Sequence, residues 1–296
     1  MHAPLRPFRI GVALGGGAAQ GFAHVTVLEA IDELGLKPAA IAGTSMGAII
    51  GAAYAAGMSG DDIRRYTIGL FRQRGEFLGR LWRLRPRRIS EVSLGLGQFD
   101  LVKALRAFLP PFLPEQVEDL GIPFTAIATD FYAGTEMVIR EGPLIPAIAA
   151  SSAVPMLFQP VTFGGRVAID GGCVNPVPFD RLGDVDFVIA SDVVSLPRGG
   201  PHRVPGPIQT AFGSVVLVLN TILREKLRNS PPPDVLINPP TGDFGPMDFT
   251  KAAAIIAMSE PGKDEVKRQI EAALGTSAAR RRAAAGAAAE GEGGAP

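Results

Sequence analysis

An α/β fold built on a mainly parallel sheet is what this sequence predicts, and three observations carry the prediction. Two short apolar runs, "FRIGVAL" (8–14) and "AAIAG" (39–43), each lead through glycines into a stretch with helical spacing. Strand, helix, strand and helix therefore follow one another within sixty residues, an order laid down as parallel strands with a right-handed crossover. Hydrophobic residues make up 47% of the 296-residue chain, enough for a large core. Two long uncharged stretches, 39–60 and 143–165, complete the picture. The first is mostly Gly, Ala, Ser and Thr, and the second carries Pro143, Pro146, Pro155 and Pro160. Neither has the bulky apolar density of a spanning helix of ~20 residues, so both read as buried elements of the α/β core.

The elements follow in order. Phe22, Val25, Leu28 and Ile31 share one face of a helix over 22–34, and Gly35 stops it. A small-residue helix spans 47–56 and ends at Gly57. Ser59 with Asp62 three residues on resembles a capping box for a further helix. "IPFTAIATD" and "EMVIRE" are neighbouring strands joined through "YAGT", and a helix runs over 144–153. "PVTFGGRVAIDGG" is a hairpin turned at Gly164-Gly165, and "DFVIASDVV" is a buried strand. A Pro/Gly loop (197–207), a helix over 208–228, a late strand "DVLINPP" and two closing helices complete the order. One domain over 1–275 is expected, with a motif core at 9–193 and a helical and strand part at 205–275. The tail 276–296, almost wholly Ala, Gly, Arg and Glu, is expected to be disordered.

Composition narrows the function classes. The 29 basic and 29 acidic residues cancel, so bulk charge lends no support to a nucleic-acid partner. A lone cysteine, Cys173, excludes an internal disulfide framework, and three histidines argue against a zinc site; no metal or other cofactor is expected. The first residues lack the long apolar centre of a signal peptide, so the expected location is the cytoplasm, peripheral at the inner membrane surface. Residues 64–88 hold nine arginines against a single acid, Glu76. They read either as a solvated helix-and-loop excursion or as an electropositive flap in which Trp82, Arg83, Arg85, Arg87 and Arg88 meet an anionic membrane or headgroup.

The glycine run "GVALGGGAAQGFAH" (11–24) raises the question of which anion its N–H groups face. The dinucleotide fingerprint needs three glycines in G-x-G-x-x-G spacing, and no frame supplies them: from Gly15 the third position is Gln20, and from Gly16 the middle position is Ala18. No Gly-Lys-Ser/Thr appears, so a phosphate-binding P-loop fails as well. At the end of the next strand stands Gly43-Thr44-Ser45-Met46-Gly47, a G-x-S-x-G turn between a strand and a small-residue helix. Such a turn exposes a serine nucleophile, and its glycines are there because side chains would collide. The N–H of Met46 and those of Gly15, Gly16 and Gly17 then converge as donors for a transient oxyanion. For the base, the residues alone leave His202, in the loop "RGGPHRVPGP", and Asp170, which is followed by Gly171-Gly172. His24 packs against or contacts the glycine loop.

The ordered set "LGGGAAQGFAHVTVLEAIDELGLKPAAIAGTSMGAIIGA", "FTAIATDFYAG", "IAASSAVPMLFQPV" and "DGGCVNPVP" resembles the bacterial patatin-like phospholipases from about residue 9 to about 193. The resemblance implies a three-layer α/β/α sandwich around a mainly parallel sheet, and a Ser-Asp dyad without histidine. It makes Ser45 the nucleophile, Asp170 the base and the loop of Gly15–Gly17 the oxyanion hole. Gly21, Gly43, Gly47, Gly171 and Gly172 support those motifs. The implied reaction is hydrolysis of phospholipid or lysophospholipid acyl esters without a metal. The alternatives are a thioesterase or general carboxylesterase on the same dyad, or a catalytically weak lipid-binding regulator. The family loop usually carries a glycine and an arginine where this chain has Ala18 and Gln20. The exchange bears on anionic headgroup recognition or on the rigidity of the loop.

Overall fold

The computed structural model describes residues 7–72, 100–155, 157–196, 204–241 and 244–292, with the backbone alone at 208 and 278–292. His202, residues 73–88 of the arginine-rich segment and hence Trp82, Arg83, Arg85, Arg87 and Arg88 lie outside the described residues.

The first unit is strand β1 (Ile10–Leu14), a short 3-10 turn over Ala18–Ala23, helix α1 (His24–Glu33), strand β2 (Pro38–Thr44) and helix α2 (Met46–Ala55). Gly35 and Gly57, both at positive φ, end the two helices where the sequence places the stops. Helix α3 (Gly60–Arg72) starts on a reciprocal cap: Ser59 N–H donates to Asp62 Oδ2, and Asp62 N–H to Ser59 Oγ. Helix α4 (Leu101–Phe108), strands β3 (Phe124–Asp130) and β4 (Thr135–Ile139), and helix α5 (Leu144–Ser152) come next. Strands β5 (Val161–Phe163) and β6 (Arg166–Asp170) form the expected hairpin around Gly164 and Gly165, both at positive φ. Strand β7 (Phe187–Ser191), helix α6 (Pro207–Asn229), strand β8 (Val235–Ile237) and helices α7 (Ala252–Ser259) and α8 (Lys263–Glu292) close the chain. Helix α8 continues through 276–292. Its alanine-rich composition has the highest helix propensity available, and a stretch with no apolar period can still hold helical backbone bonds.

The eight-stranded sheet has the order β5-β6-β3-β2-β1-β7-β8, with β4 paired to β3. Strands β3, β2, β1, β7 and β8 are mutually parallel, and β4, β5 and β6 add antiparallel pairings at the β3 side. Alternation along the central strands sends large side chains one way and alanines the other. Val12, Leu14, Ile41 and Ile189 enter the main core under α1, α2, α5 and α7. Ala13, Ala40, Ala42 and Ala190 face the opposite layer, where Val177, Phe179, Leu182 and Leu223 of α6 press close. Helices on both faces make this the expected α/β/α sandwich.

One charge cluster ties the two ends of the chain together. Arg64 of α3 is hydrogen-bonded to Glu29 of α1 and to Glu260, and Lys263 of α8 reaches Glu33 at 2.9 Å and Glu260 at 2.8 Å. Arg64 is thus occupied in the fold, and Arg65 is paired with Asp61 and Asp62. Neither is a free cation of a membrane-facing flap. Glu29 is buried, so its removal leaves Arg64 and Lys263 short of a partner in a poorly solvated place. Glu29→Ala is expected to lower the unfolding free energy by roughly 3 kcal/mol in urea denaturation, while Asp61→Ala, at an exposed pair, changes it by well under about 1 kcal/mol.

Candidate active site

Pairing along one edge of β3 brings Ser45 and Asp170 together. Strand β2 pairs with β3 up to Thr44 opposite Ile127, and the next β3 residue, Ala128, is opposite Asp170 of β6. Strand β4 occupies the other edge of β3 from Ala126 to Asp130, so β2 and β6 must share this one. They run along it in opposite directions and meet end to end. The residue after β2 is Ser45, and the last residue of β6 is Asp170.

Each partner is held by its backbone. Ser45 has φ 55 and ψ −122, a left-handed conformation that costs a side-chain-bearing residue roughly 1–3 kcal/mol and survives only under tight restraint. The restraint comes from α5: the Ser45 N–H donates to Ser151 Oγ at 3.0 Å, and Ser152 Oγ donates to the Ser45 carbonyl at 3.0 Å. The turn also needs its glycines. A Cβ on Gly47 would strike the Leu14 carbonyl, and one on Gly43 would strike the backbone of Gly47. Gly21 leaves room for the Met46 side chain in the same way. On the other side, the Asp170 N–H donates to the Ala153 carbonyl at 3.0 Å and its carbonyl accepts Thr129 Oγ1 at 2.8 Å. Gly171 lies so close to the Ile127 carbonyl that any side chain would clash, and the Gly172 N–H donates to Asp170 Oδ1 at 2.8 Å.

Asp170 is buried, with no cation beside it among the described residues. Burial therefore pushes its carboxyl up to about 6, against the opposing pull of the Ser45 hydroxyl and the Gly172 N–H. Its second oxygen, Oδ2, is buried without a hydrogen bond among the described residues. A carboxylate short of donors beside a strained serine has the chemistry that general-base catalysis needs.

The glycine loop leaves β1 alongside this junction, with Leu14 opposite Gly43 on one side and Ser191 on the other. Its donors divide. Gly15 N–H donates to the Ser191 carbonyl and Gly16 N–H to the Pro176 carbonyl, each at 2.9 Å. These two are committed to the fold, which corrects the expectation that they serve as oxyanion donors. Gly16 still abuts Ser45, since a Cβ there would stand 3.3 Å from Ser45 Cβ. Among the described residues, the N–H groups of Gly17, Ala18 and Met46 have no hydrogen-bond acceptor. Ala18 takes φ 46, the left-handed region where a glycine costs nothing. Gln20 is anchored: its Nε2 donates to the Phe244 carbonyl at 2.9 Å, beside a bond from Ala19 N–H to the Pro246 carbonyl at 3.1 Å. His24 is fully buried and neutral, with its pKa brought down to about 4. Its Nε2–H donates to the Gly15 carbonyl at 2.8 Å, which leaves Nδ1 to accept from Ser191 Oγ at 2.9 Å. It braces the loop, as expected.

Two cavities meet at Ser45. A cavity of about 1060 Å³ is lined by Ser45, Asp170, the glycine loop, α6 and the segment 244–248. A second, of about 390 Å³, is enclosed by apolar side chains of α2, α3 and α4, among them Ile49, Phe71 and Leu105, and also reaches Ser45. Sequence reasoning did not assign a part to Ser151, Ser152, Thr129 or the 244–248 segment. Two adjacent serines in an otherwise apolar helix were the only signal for the first pair. The other contacts arise from chain segments far apart in sequence.

The chain is similar to known proteins over much of its length. The family model described as patatin-like phospholipase matches residues 12–182. An uncharacterised NTE family protein of Mycobacterium tuberculosis is 36% identical over 207 residues, covering 69% of this chain and 54% of that protein. Lysophospholipase NTE1 of Cryptococcus neoformans is 29% identical over 197 residues, covering 66% of this chain and 12% of that protein. The chain thus spans about half the length of the mycobacterial relatives it matches and a smaller part of the fungal one. Among solved structures, VipD from Legionella pneumophila aligns with a TM-score of 0.47 at 14% identity, covering 88% of this chain and 67% of that one.

The raised pKa of Asp170 has a consequence for stability. The folded state holds the proton up to about pH 6, whereas the unfolded carboxyl releases it near its ordinary value of 3.8. Stability therefore falls as pH rises through that window, and the full cost, about 3 kcal/mol for a shift of this size, is present above it. Asp170→Asn removes the charge and keeps an acceptor for Gly172 N–H. It is expected to raise the thermal midpoint at pH 8, with the gain gone by pH 4, in melts recorded across that range.

Proposed function

The chain belongs to the patatin-like phospholipase family, and from that premise we propose that it hydrolyses acyl esters of phospholipids or lysophospholipids through an acyl-serine on Ser45. The observation that carries the reading is the end-to-end meeting of Ser45 and a buried, under-hydrogen-bonded Asp170 at the floor of two joined cavities.

In the proposed reaction the acyl chain lies in the apolar cavity and the alcohol part of the lipid in the wider one. Asp170 takes the Ser45 proton as Oγ attacks the ester carbon, and negative charge gathers on the former carbonyl oxygen. The N–H groups of Gly17, Ala18 and Met46 are its donors; with no acceptor among the described residues, they break no hydrogen bond to serve. Collapse breaks the ester C–O bond, and the protonated Asp170 returns its proton to the leaving alcohol. Asp170 then deprotonates a water that attacks the acyl-serine, releasing the fatty acid and restoring the Ser45 hydroxyl. A carboxylate with a pKa near 6 is a stronger base than an ordinary aspartate, yet it stays ionised at neutral pH.

A catalytically weak lipid binder drew its support from Gln20. That side chain is bonded to the Phe244 carbonyl, and the loop it belongs to keeps two unengaged donors, Gly17 and Ala18, which favours turnover. A thioester or short carboxyl ester would use the same groups, and rates on phospholipid, monoacyl lipid and soluble ester separate the substrates.

Ser45→Ala and Asp170→Asn are each expected to lower ester turnover by roughly 10³-fold or more, and a fluorophosphonate probe to label wild type but not Ser45→Ala. His202→Ala should keep its activity; a large loss there with Asp170→Asn still active would replace the dyad by an ordinary triad. Because the base must be ionised, kcat/KM should rise with pH through an apparent pKa near 6 and then level off.

A further inference from the structure

Helix α6 is two structures in one. Its C-terminal half packs on the alanine face of the sheet through Leu223 and Leu227, and Lys226 reaches Asp180 at 2.8 Å. Its N-terminal half stands clear of the sheet and forms a wall of the wide cavity through Phe212, Val216 and Leu219. That half carries no charge: from Val204 to Leu223 there is not one Asp, Glu, Lys or Arg, and charges resume at Arg224. Leu217 and Val218, which do not line the cavity, are 54% and 56% exposed. Such a surface is costly in water and is normal for a helix lying in a lipid interface.

The exposed apolar surface continues into the reaction cavity. Leu196 after β7, Val215 on α6 and Met247 in the 244–248 segment each line the wide cavity and are each 47–52% exposed. Three separate segments therefore place apolar side chains around its opening, and the apolar path runs from solvent toward Ser45. We propose that this rim, with Leu217 and Val218 beside it, is the face by which the protein docks on a lipid surface, its cavity open to the bilayer. The choice of a lipid occupant rests on the lipid-ester reading of the site. A second copy of the chain seated on the same rim would cap the cavity and shut Ser45 off from substrate. An apolar rim also fits an uncharged acyl region, so this contact differs in kind from an arginine contact with anionic headgroups.

The test uses the full chain with phosphatidylcholine vesicles, which carry no net charge. Wild type is expected to co-sediment with them, and raised ionic strength should not release it. Leu217→Asp/Val218→Asp should lower the bound-to-free ratio about tenfold or more, and cut vesicle-lipid hydrolysis in step, while turnover of a soluble short-chain ester stays as in wild type. Leu217→Trp, a substitution an exposed helix position accepts, should show emission moving to shorter wavelength when vesicles are added, beyond any change from Trp82. Equal vesicle binding by the double variant, no binding by wild type, or an unmoved Leu217→Trp emission in bound protein would each overturn the proposal. So would a wild-type dimer that the double variant dissociates, since the rim would then belong to a second copy. Vesicle binding by a protein that turns over no ester would leave the docking face standing and remove the hydrolase reading.

Discussion

Everything at the site depends on one edge of one strand. β3 offers its edge first to β2 and then, without a gap, to β6 coming from the other direction. Two strands that share an edge in opposite senses must stop where they meet, and the chain beyond each stop is forced into a sharp turn. On one side that turn is Ser45 at positive φ; on the other it is Asp170 followed by two glycines. The Ser-Asp contact is thus a product of sheet register. A register slip on either side would turn the side chain to the opposite face of the sheet and separate the pair.

The junction is expensive, and the surrounding fold offsets its cost. A left-handed serine, a left-handed alanine and a buried carboxylate are each unfavourable by themselves. The end of α5 answers two of them at once: Ser151 and Ser152 hold both sides of the Ser45 peptide, and Ala153 accepts the Asp170 N–H. His24 and Ser191 fasten the glycine loop from below, and Gln20 and Ala19 fasten it to the 244–248 segment. Within this frame the N–H groups of Gly17, Ala18 and Met46 have no acceptor among the described residues, and Asp170 Oδ2 no donor. In the proposed reaction, donors left open in this way favour the transition state over the resting protein.

The layers of the sandwich also divide their labour. The face with large side chains builds the main core, and the small cavity against Ser45 is carved from its edge by α2, α3 and α4. The alanine face admits α6 closely along only half its length, so the remainder is left over to form a cavity wall and an apolar rim. No helix among the described residues is long and apolar enough to cross a membrane, and the apolar half of α6 lies along the surface of the molecule.

Local pattern alone determined much of this protein. Apolar runs, the Ser59-Asp62 cap and the stops at Gly35 and Gly57 depend on interactions within a few residues, and they read correctly from the chain. So did the G-x-S-x-G turn, whose need for glycine is also local. Residue type leaves Asp170 and His202 as candidate bases and the family resemblance favours Asp170, since spacing cannot say which strand edge a carboxylate will reach. Only tertiary structure decided the rest. Gly15 and Gly16 look like free donors until β7 and the 176 turn supply acceptors from well over a hundred residues away. Gln20 looks like a lost charge until Phe244 arrives beside it, and Arg64 looks like a surface cation until Glu29 and Glu260 close on it. The physical reason is common to all three: a polar group's availability depends on which partners the fold delivers, and no short window of sequence contains them.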